Sequence, residues 1–407
     1  MHDVTQTARK NQFNAFAASF MGWTLDAYGF FVVVFLVGKL ATSFHVGKAL
    51  IIVTLTAMLA ARPVGAFVFG LLTDRYGRRV VLLLNVSYFI LMELLLGFSS
   101  SYRFFLIAGA IYGMGFGGMW GIGASLSMEA VPQRWRGLLS GVLQSGYSVG
   151  YIIAAIAARF VLPSLGWRWM FWVGSALGLV TLLISLGAPE SEAWKQHRAP
   201  SMGAVLRIVG QEWKRFAYLV FMMVFMMFLS HGTQDLYPDF LRSTHGASNS
   251  AVAYIAILFN IGAILGSILF GALSQRLGRR FAMVGALVLA IAVIPWWAFG
   301  GTLATLTVGA FLMQVGVQGA WGVIPAHLTE MSHDSTRGLV PGLAYQLGIL
   351  FAAPTPTIEY ALRNHIGYHW ALAGFEIVTI VVLAITLLLG KERRGRSFVS
   401  TPTSSSA

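Results

Sequence analysis

The chain has 407 residues, 57% of them hydrophobic and only 11% charged, with a mean hydropathy of +0.72. Soluble domains carry about 25% charged residues, so this composition speaks against a soluble globular enzyme and for a chain embedded in membrane. The excess of 28 Lys and Arg over 15 Asp and Glu raises the question of nucleic acid, while zero cysteines exclude disulfides, thiolate metal sites and a cysteine nucleophile.

Apolar windows of about 19 residues predict twelve spans, at 15–40, 48–72, 80–98, 104–126, 138–162, 167–187, 216–240, 251–273, 281–300, 303–326, 339–361 and 367–390. The polar start from Met1 to Asn14 precedes a run that contains Asp26 and Tyr28 and is too long for a signal-peptide core, so it is expected to stay as the first span. Arg62 falls well inside the second span, roughly 20 Å deep at 1.5 Å per residue, too deep for easy snorkelling. On the fourth span Gly113, Gly117 and Gly121 recur every four residues, a helix-packing pattern. Arg159, close to the outer end of the fifth, reads as a snorkelling anchor.

The seventh span contains Ser230-His231-Gly232-Thr233-Gln234-Asp235-Leu236-Tyr237-Pro238-Asp239. On a helix, His231, Gln234 and Asp235 project to one side, a turn apart. The methionine run from Met222 to Met227 reads as lipid-facing or packing surface. Gln314 and Gln318 share a face of the tenth span with Trp321, and Gln346 lies in the eleventh. Glu93 and Glu376 are embedded without an evident partner, and Asp239 has no assigned role. The stretch 397–407 is rich in Ser and Thr and is expected to be a disordered tail.

The location of the charges answers the nucleic-acid question. With both ends in the cytoplasm, twenty of the 28 basic residues fall in inner segments and six in outer ones, with Arg62 and Arg159 inside spans. The positive-inside rule therefore makes the basic excess a topology signal: a multi-pass protein of the inner membrane, both termini cytoplasmic, with the lipid bilayer and not nucleic acid as its surroundings.

A repeat organises the chain. Gly70-Leu-Leu-Thr-Asp74-Arg75-Tyr-Gly77-Arg78-Arg79 recurs 201 residues on as Gly271-Ala-Leu-Ser-Gln275-Arg276-Leu-Gly278-Arg279-Arg280. Trp120-Gly121 maps at the same offset to Trp321-Gly322, Glu129 to Glu330, and Arg136-Gly137 to Arg337-Gly338. The economical organisation is a six-helix bundle at 1–187, a charged cytoplasmic linker at 188–214, a second six-helix bundle at 215–396 and the tail. The basic loops read as structural, because no Gly-Lys-Ser/Thr follows and no strand precedes, as a phosphate loop would need. Asp74, Arg75, Arg78, Glu129, Arg136, Arg276, Glu330 and Arg337 are the expected members of an inter-helix latch that stabilises one conformation.

An embedded charge present in one half only is the better functional candidate, and the counterpart of Arg62 is Ala263. A buried guanidinium is suited to gripping a carboxylate; the competing reading is an internal pair with Asp26 or Glu93. His231 with Asp235 is a candidate proton relay, or else an ordinary helix-end cluster closed by Tyr237-Pro238. Asp26 and Tyr28 echo Asp235 and Tyr237, so they serve as scaffold or as site. Gln234, Gln318 and Gln346 either orient a hydroxyl or keto group or bridge helices. No metal constellation, nucleophile elbow or triad spacing appears, which argues against an enzyme and against a metal or other cofactor.

With its duplicated loop and two six-helix halves, the chain resembles the major facilitator superfamily. Ser230-His231-Gly232-Thr233-Gln234-Asp235 is similar to the signature of the sialate:proton symporter family, which groups lactate and pyruvate permeases with sialic acid permeases. Ala61-Arg62-Pro63-Val64-Gly65-Ala66 and Tyr345-Gln346-Leu347-Gly348 agree with it. Two positions depart from the signature: Met227 stands where asparagine is expected and Asp239 where threonine is. The resemblance implies an all-α major facilitator fold and alternating-access symport of protons with a small monocarboxylate such as lactate or pyruvate, by a chain that functions as a monomer. The short linker argues against a sialic acid permease, which would carry extra central spans. A sialic or aromatic acid symporter, and a transport-inactive sensor on the same fold, are the rival readings.

Overall fold

The computed structural model describes residues 2–399, and every regular element among them is helical. The first half holds α1 (His2–Ser43), α2 (Lys48–Tyr76), α3 (Arg78–Gly97), α4 (Tyr102–Ala130), α5 (Arg136–Leu165) and α6 (Trp167–Leu186). Two short helices, α7 (Glu192–His197) and α8 (Met202–Gln211), form the connection. The second half holds α9 (Trp213–Gln234), α10 (Tyr237–His245), α11 (Asn249–Leu277), α12 (Arg279–Ala298), α13 (Leu303–Met331), α14 (Leu339–Ala352), α15 (Thr355–Ile366) and α16 (Tyr368–Leu389).

Twelve spans are present, but two are broken. The seventh divides into α9 and α10 across Asp235 and Leu236, and the eleventh into α14 and α15 across Ala353 and Pro354. Proline explains both breaks. Pro238 has no N–H to return to the carbonyl of Gln234, and Pro354 and Pro356 likewise leave the carbonyls of Leu350 and Ala352 without their helical donors. The equivalent spans of the first half, α1 and α5, run through. Discontinuous spans are tolerated in membrane where they line a cavity or are buried in protein.

Each half has its own apolar core, one gathered around Tyr28, Phe89, Tyr112 and Phe116, the other around the methionines of α9, Trp297 and Trp321. Met222, Met223, Met226 and Met227 are all buried, so this run is packing surface and not lipid-facing. Leu84, Leu183, Leu265 and Val378 are exposed on the outside, as a lipid-facing surface requires. Glycines let α2 and α4 touch: a methyl on Gly113 would collide with the carbonyl of Met58, and one on Gly117 with the carbonyl of Arg62. Gly77 and Gly278, at matching places in the repeat, turn the chain at φ 115° and 98°, which side chains rarely adopt.

The charged connection is itself structured. Trp194 Nε1 donates to the carbonyl of Asp74 at 2.9 Å and Arg198 Nε to that of Arg75 at 3.1 Å, tying α7 to the end of α2. Part of the stretch expected as a tail packs on the protein. Ser397 to Val399 are described, and Phe398 is only 3% exposed; residues 400–407 lie outside the described residues.

Candidate functional site

The two halves meet tightly at the end where the chain termini and α7 lie, here called the latch end. A methyl on Gly121 would stand 2.9 Å from Gly342 Cα, and one on Gly137 2.6 Å from Arg279. Around these contacts the duplicated loops build two matching charge networks. In one, Asp74 accepts from the amides of Gly338 and Leu339 at 2.7 and 2.9 Å, while Arg78 holds Glu129 at 3.1 Å. In the other, Gln275 Oε1 accepts from the amide of Gly137 at 3.1 Å, and Arg279 holds Glu330 at 2.9 Å. The networks are then crossed: Arg136 of the first half reaches Glu330 at 3.1 Å, and Arg337 of the second reaches Glu129 at 3.6 Å.

Six of the eight expected latch residues enter this assembly. Arg75 and Arg276 do not. They lend only their main-chain carbonyls, to Arg198 and Arg394, while the Arg75 side chain lies over the Tyr76 ring and that of Arg276 is exposed. Two members had no sequence signal, because their partners are distant in the chain. Glu190 caps the start of α3 through the amides of Arg78 and Arg79, and Glu392 caps α12 through the amide of Arg280 at 3.1 Å. Burial raises the Glu392 carboxyl, but the amides of Arg280, Arg394 and Arg279 outweigh it and hold it below the usual carboxylate range.

The tail completes the seal. Arg396 donates to the carbonyl of Ser332 at 2.7 Å and to Asp334 at 2.8 Å, and its own carbonyl accepts from Arg136 at 2.9 Å. Phe398 then lies beneath two guanidiniums, Arg136 at 3.9 Å and Arg337 at 4.0 Å from the ring centre, one from each half.

At the middle of the first half, Arg62 is 3% exposed and lies 3.9 Å from Asp26, so of the two carboxylates weighed as internal partners it is Asp26, not Glu93, that stands beside it. Glu93 instead accepts from Tyr112 at 2.8 Å. The pair is loose. Arg62 Nε and both Asp26 oxygens make no hydrogen bond, and the Arg62 guanidinium lies over the adjoining rings of Phe30 and Phe116 at 5.1 and 4.9 Å. Of the two roles left open for Tyr28, scaffold or site, the structure shows the first: its buried hydroxyl donates to the carbonyl of Met170 on α6 at 2.6 Å.

The second half contributes a polar ladder. His231 Nδ1 is 3.0 Å from Asp235 Oδ2, and both side chains are 37% exposed. Gln234 Nε2 donates to Ser230 at 3.1 Å and to Gln314 at 3.2 Å, Gln314 donates to Thr233 at 3.1 Å, and Gln318 reaches Ser230 at 3.4 Å. The amides therefore bridge helices α9 and α13. Gln346 crosses between the halves to the carbonyl of Phe116 at 3.5 Å, with its Oε1 unpartnered.

An aromatic wall joins the two sides. Trp120 stacks on Tyr345 at 4.5 Å and its repeat counterpart Trp321 meets the same ring at 5.5 Å; Trp23 touches both Tyr345 and Tyr147. Tyr147 lies in the fields of Arg62, Asp26 and Asp235, and His231 in that of Arg62, so the polar groups of the two halves are within electrostatic reach of one another. Trp23 Nε1 and Trp321 Nε1 are buried donors without an acceptor. Sequence reasoning missed Trp23, Tyr147 and Tyr345 as site residues; the matched pair Trp120 and Trp321 was the one available signal.

The family profile of the Major Facilitator Superfamily matches residues 13–237 and 236–405. The chain belongs to the Major Facilitator Superfamily. It is 31% identical over 404 residues to the "Carboxylic acid transporter protein homolog" of Saccharomyces cerevisiae, covering 93% of this chain and 65% of the yeast protein, so it spans about two thirds of that relative. It is 29% identical to the "Probable 4-methylmuconolactone transporter" of Cupriavidus pinatubonensis, covering 94% of this chain and 91% of that one, and 23% identical to the "Sialic acid transporter NanX" of Escherichia coli, covering 93% of each. Among solved structures, the proton:xylose symporter XylE superposes with a TM-score of 0.78 at 19% identity, over 95% of this chain and 98% of that one, which speaks to fold alone.

Proposed function

We propose that this superfamily member is a proton-coupled symporter of organic monocarboxylates working by alternating access, seated in the inner membrane with the latch end cytosolic. One observation carries the reading: a deeply buried guanidinium, Arg62, whose one ion-pair partner among the described residues is loosely placed and whose surroundings hold unspent donors, lies within electrostatic reach of His231 of the titratable pair His231–Asp235. A buried polar group without partners is costly, and a carboxylate docking on Arg62, with Trp23, Trp321 and Gln346 around it, would relieve that cost. Asp26 keeps the site from binding an anion too tightly to release. The relatives whose names include carboxylic, muconolactone and sialic acids point to the same substrate class. With the latch end closed and His231 and Asp235 accessible, the conformation is the outward-facing one.

Lactate or pyruvate is the substrate favoured by the Ser230–Asp235 stretch. A second reading, a planar unsaturated or aromatic acid, is favoured by the wall of Trp23, Tyr147, Tyr345 and Trp120. Uptake into proteoliposomes under an imposed pH gradient, with lactate, pyruvate, acetate, sialic acid and benzoate competing, separates them. Competition by lactate and pyruvate alone supports the first; stronger competition by benzoate supports the second; uptake indifferent to the pH gradient refutes proton coupling. A periplasm-active reporter fused after Lys391 should remain silent if the orientation is right.

A further inference from the structure

We propose that Tyr345 is the floor of the substrate site and sets how long an acid the protein accepts. The proposal rests on the reading of Arg62 as the carboxylate grip and deepens it, narrowing the substrate class to acids with a short body.

Trp23, Trp120, Trp321 and Tyr345 form a layer between Arg62 and the latch, and the direction of each helix fixes its level. Helices α2, α4 and α13 run toward the latch, since Asp74, Glu129 and Glu330 lie near their far ends. Helix α14 runs away from it, starting at Leu339, whose amide donates to Asp74 at 2.9 Å. Helix α1 also leads away: near its start Asn14 Nδ2 donates to the carbonyl of Gly187, where the connection begins, at 2.9 Å. Phe116, whose ring centre lies 4.9 Å from the Arg62 guanidinium, is therefore followed one turn nearer the latch by Trp120, on the same face of α4. Trp23 likewise stands one turn nearer the latch than Asp26. Trp321 repeats the position of Trp120 in the second half, each nine residues ahead of its latch glutamate, Glu330 or Glu129.

Tyr345 joins these rings. It stacks on Trp120 at 4.5 Å and meets Trp321 at 5.5 Å and Trp23 at 6.1 Å, so one residue of α14 touches rings from α4, α13 and α1. Only 6% of it is exposed. On the latch side the layer is backed by main chain: Gly342, three residues before Tyr345, and Gly121, next to Trp120, stand so close that a methyl on either would crowd the Cα of the other. From Phe116 to Trp120 the helix rises only about 6 Å, the reach of a short acid. The apolar body of an acid held at Arg62 is better matched to these rings than to the amides of Gln234, Gln314 and Gln318. A longer body would have to push Tyr345 off the three indoles and forfeit ring contacts that are worth more than their area alone. Because Trp23 and Trp120 belong to one half and Tyr345 and Trp321 to the other, the floor parts only when the halves do.

The test is exchange of internal for external radiolabelled lactate in proteoliposomes, competed by straight-chain acids from acetate to hexanoate. In wild type, competition should fall sharply beyond a limiting chain length. In Y345A the limit should move to longer acids, each added methylene that enters the vacated space improving competition about fourfold. Y345F keeps the ring and should keep the wild-type profile. The readout is a ratio between acids, so a general loss of affinity or of folded protein does not imitate it. If Y345A does not insert, Y345L carries the same expectation, and the wild-type profile decides by itself whether a length limit exists. A wild type that exchanges no carboxylate would sink the reading under Proposed function. A wild type competed as well by hexanoate as by propionate, or a smaller residue at 345 that leaves the length profile unchanged, would sink this inference alone.

Discussion

Arg136 Nη1 lies 3.1 Å from Glu330 Oε1, and Arg337 Nη1 returns the contact to Glu129 at 3.6 Å, so the arginine of each half is held by the glutamate of the other. A repeat that paired only within itself would give two stable bundles free to separate. Crossing the pairs makes the closed latch end a property of both halves together.

Removing one partner of a buried ion pair leaves the other charge uncompensated, at a cost of about 3–5 kcal/mol. Glu330→Gln should therefore bias the protein away from the closed latch. The chain has no cysteine, so a single Ala326→Cys, at a buried interface position, reports this without background. Its labelling from the latch side by an impermeant maleimide should be at least about tenfold faster in the Glu330→Gln background. An unchanged rate contradicts a latching role.

Arg62→Lys keeps the charge and loses the fork of donors. Loss of charge-assisted hydrogen bonds worth about 1.5–3 kcal/mol predicts carboxylate affinity about 10- to 100-fold weaker, with normal membrane insertion. Trp23, Trp120 and Trp321 lie in the wall of the site, so quenching of tryptophan fluorescence on titration with substrate is the measurement. Wild-type affinity in Arg62→Ala would move the anion site elsewhere.

His231→Gln and Asp235→Asn each remove a titrating group from the accessible pair. Uphill accumulation should be lost in both while exchange of internal for external substrate continues. Accumulation at several external pH values decides it: both variants matching the wild-type pH profile would exclude the relay.

Glu392 offers a pH-dependent test outside the membrane. Its carboxyl is held below the usual carboxylate range in the folded protein despite burial, so it contributes stability above its unfolded value and loses it as pH falls through the folded one. Glu392→Gln should cost about 1 kcal/mol at neutral pH, the scale of a helix cap after solvent screening. As pH falls past the ordinary glutamate value and through the lower folded one, the melting temperatures of variant and wild type in detergent should converge. A constant difference across pH would show that the carboxylate charge is not what matters.

The sequence disclosed the fold because hydropathy and the 201-residue repeat are both written in order along the chain. Arg62 stood out because burying a guanidinium needs a reason and its counterpart, Ala263, shows the repeat does not supply one. What stayed hidden depends on contacts between distant residues. Nothing local to Glu190 or Glu392 says that each caps a helix more than a hundred residues earlier. Tyr28 stayed open between scaffold and site because its echo of Tyr237 says nothing of which neighbour it meets; the contact with α6 makes it scaffold. The breaks near Asp235 and Pro354 were readable in principle from Pro238, Pro354 and Pro356, yet the apolar windows ran across them.

The benzene ring of Phe398 between Arg136 and Arg337 gives the cycle a moving part that is not a membrane span. Two like charges from opposite halves share one neutral ring, and neither can leave without exposing it. On the alternating-access reading proposed above, opening the latch end draws Phe398 out from beside the two arginines, like a key withdrawn before a door swings, and the rate of that withdrawal would then bound turnover whatever is changed at Arg62.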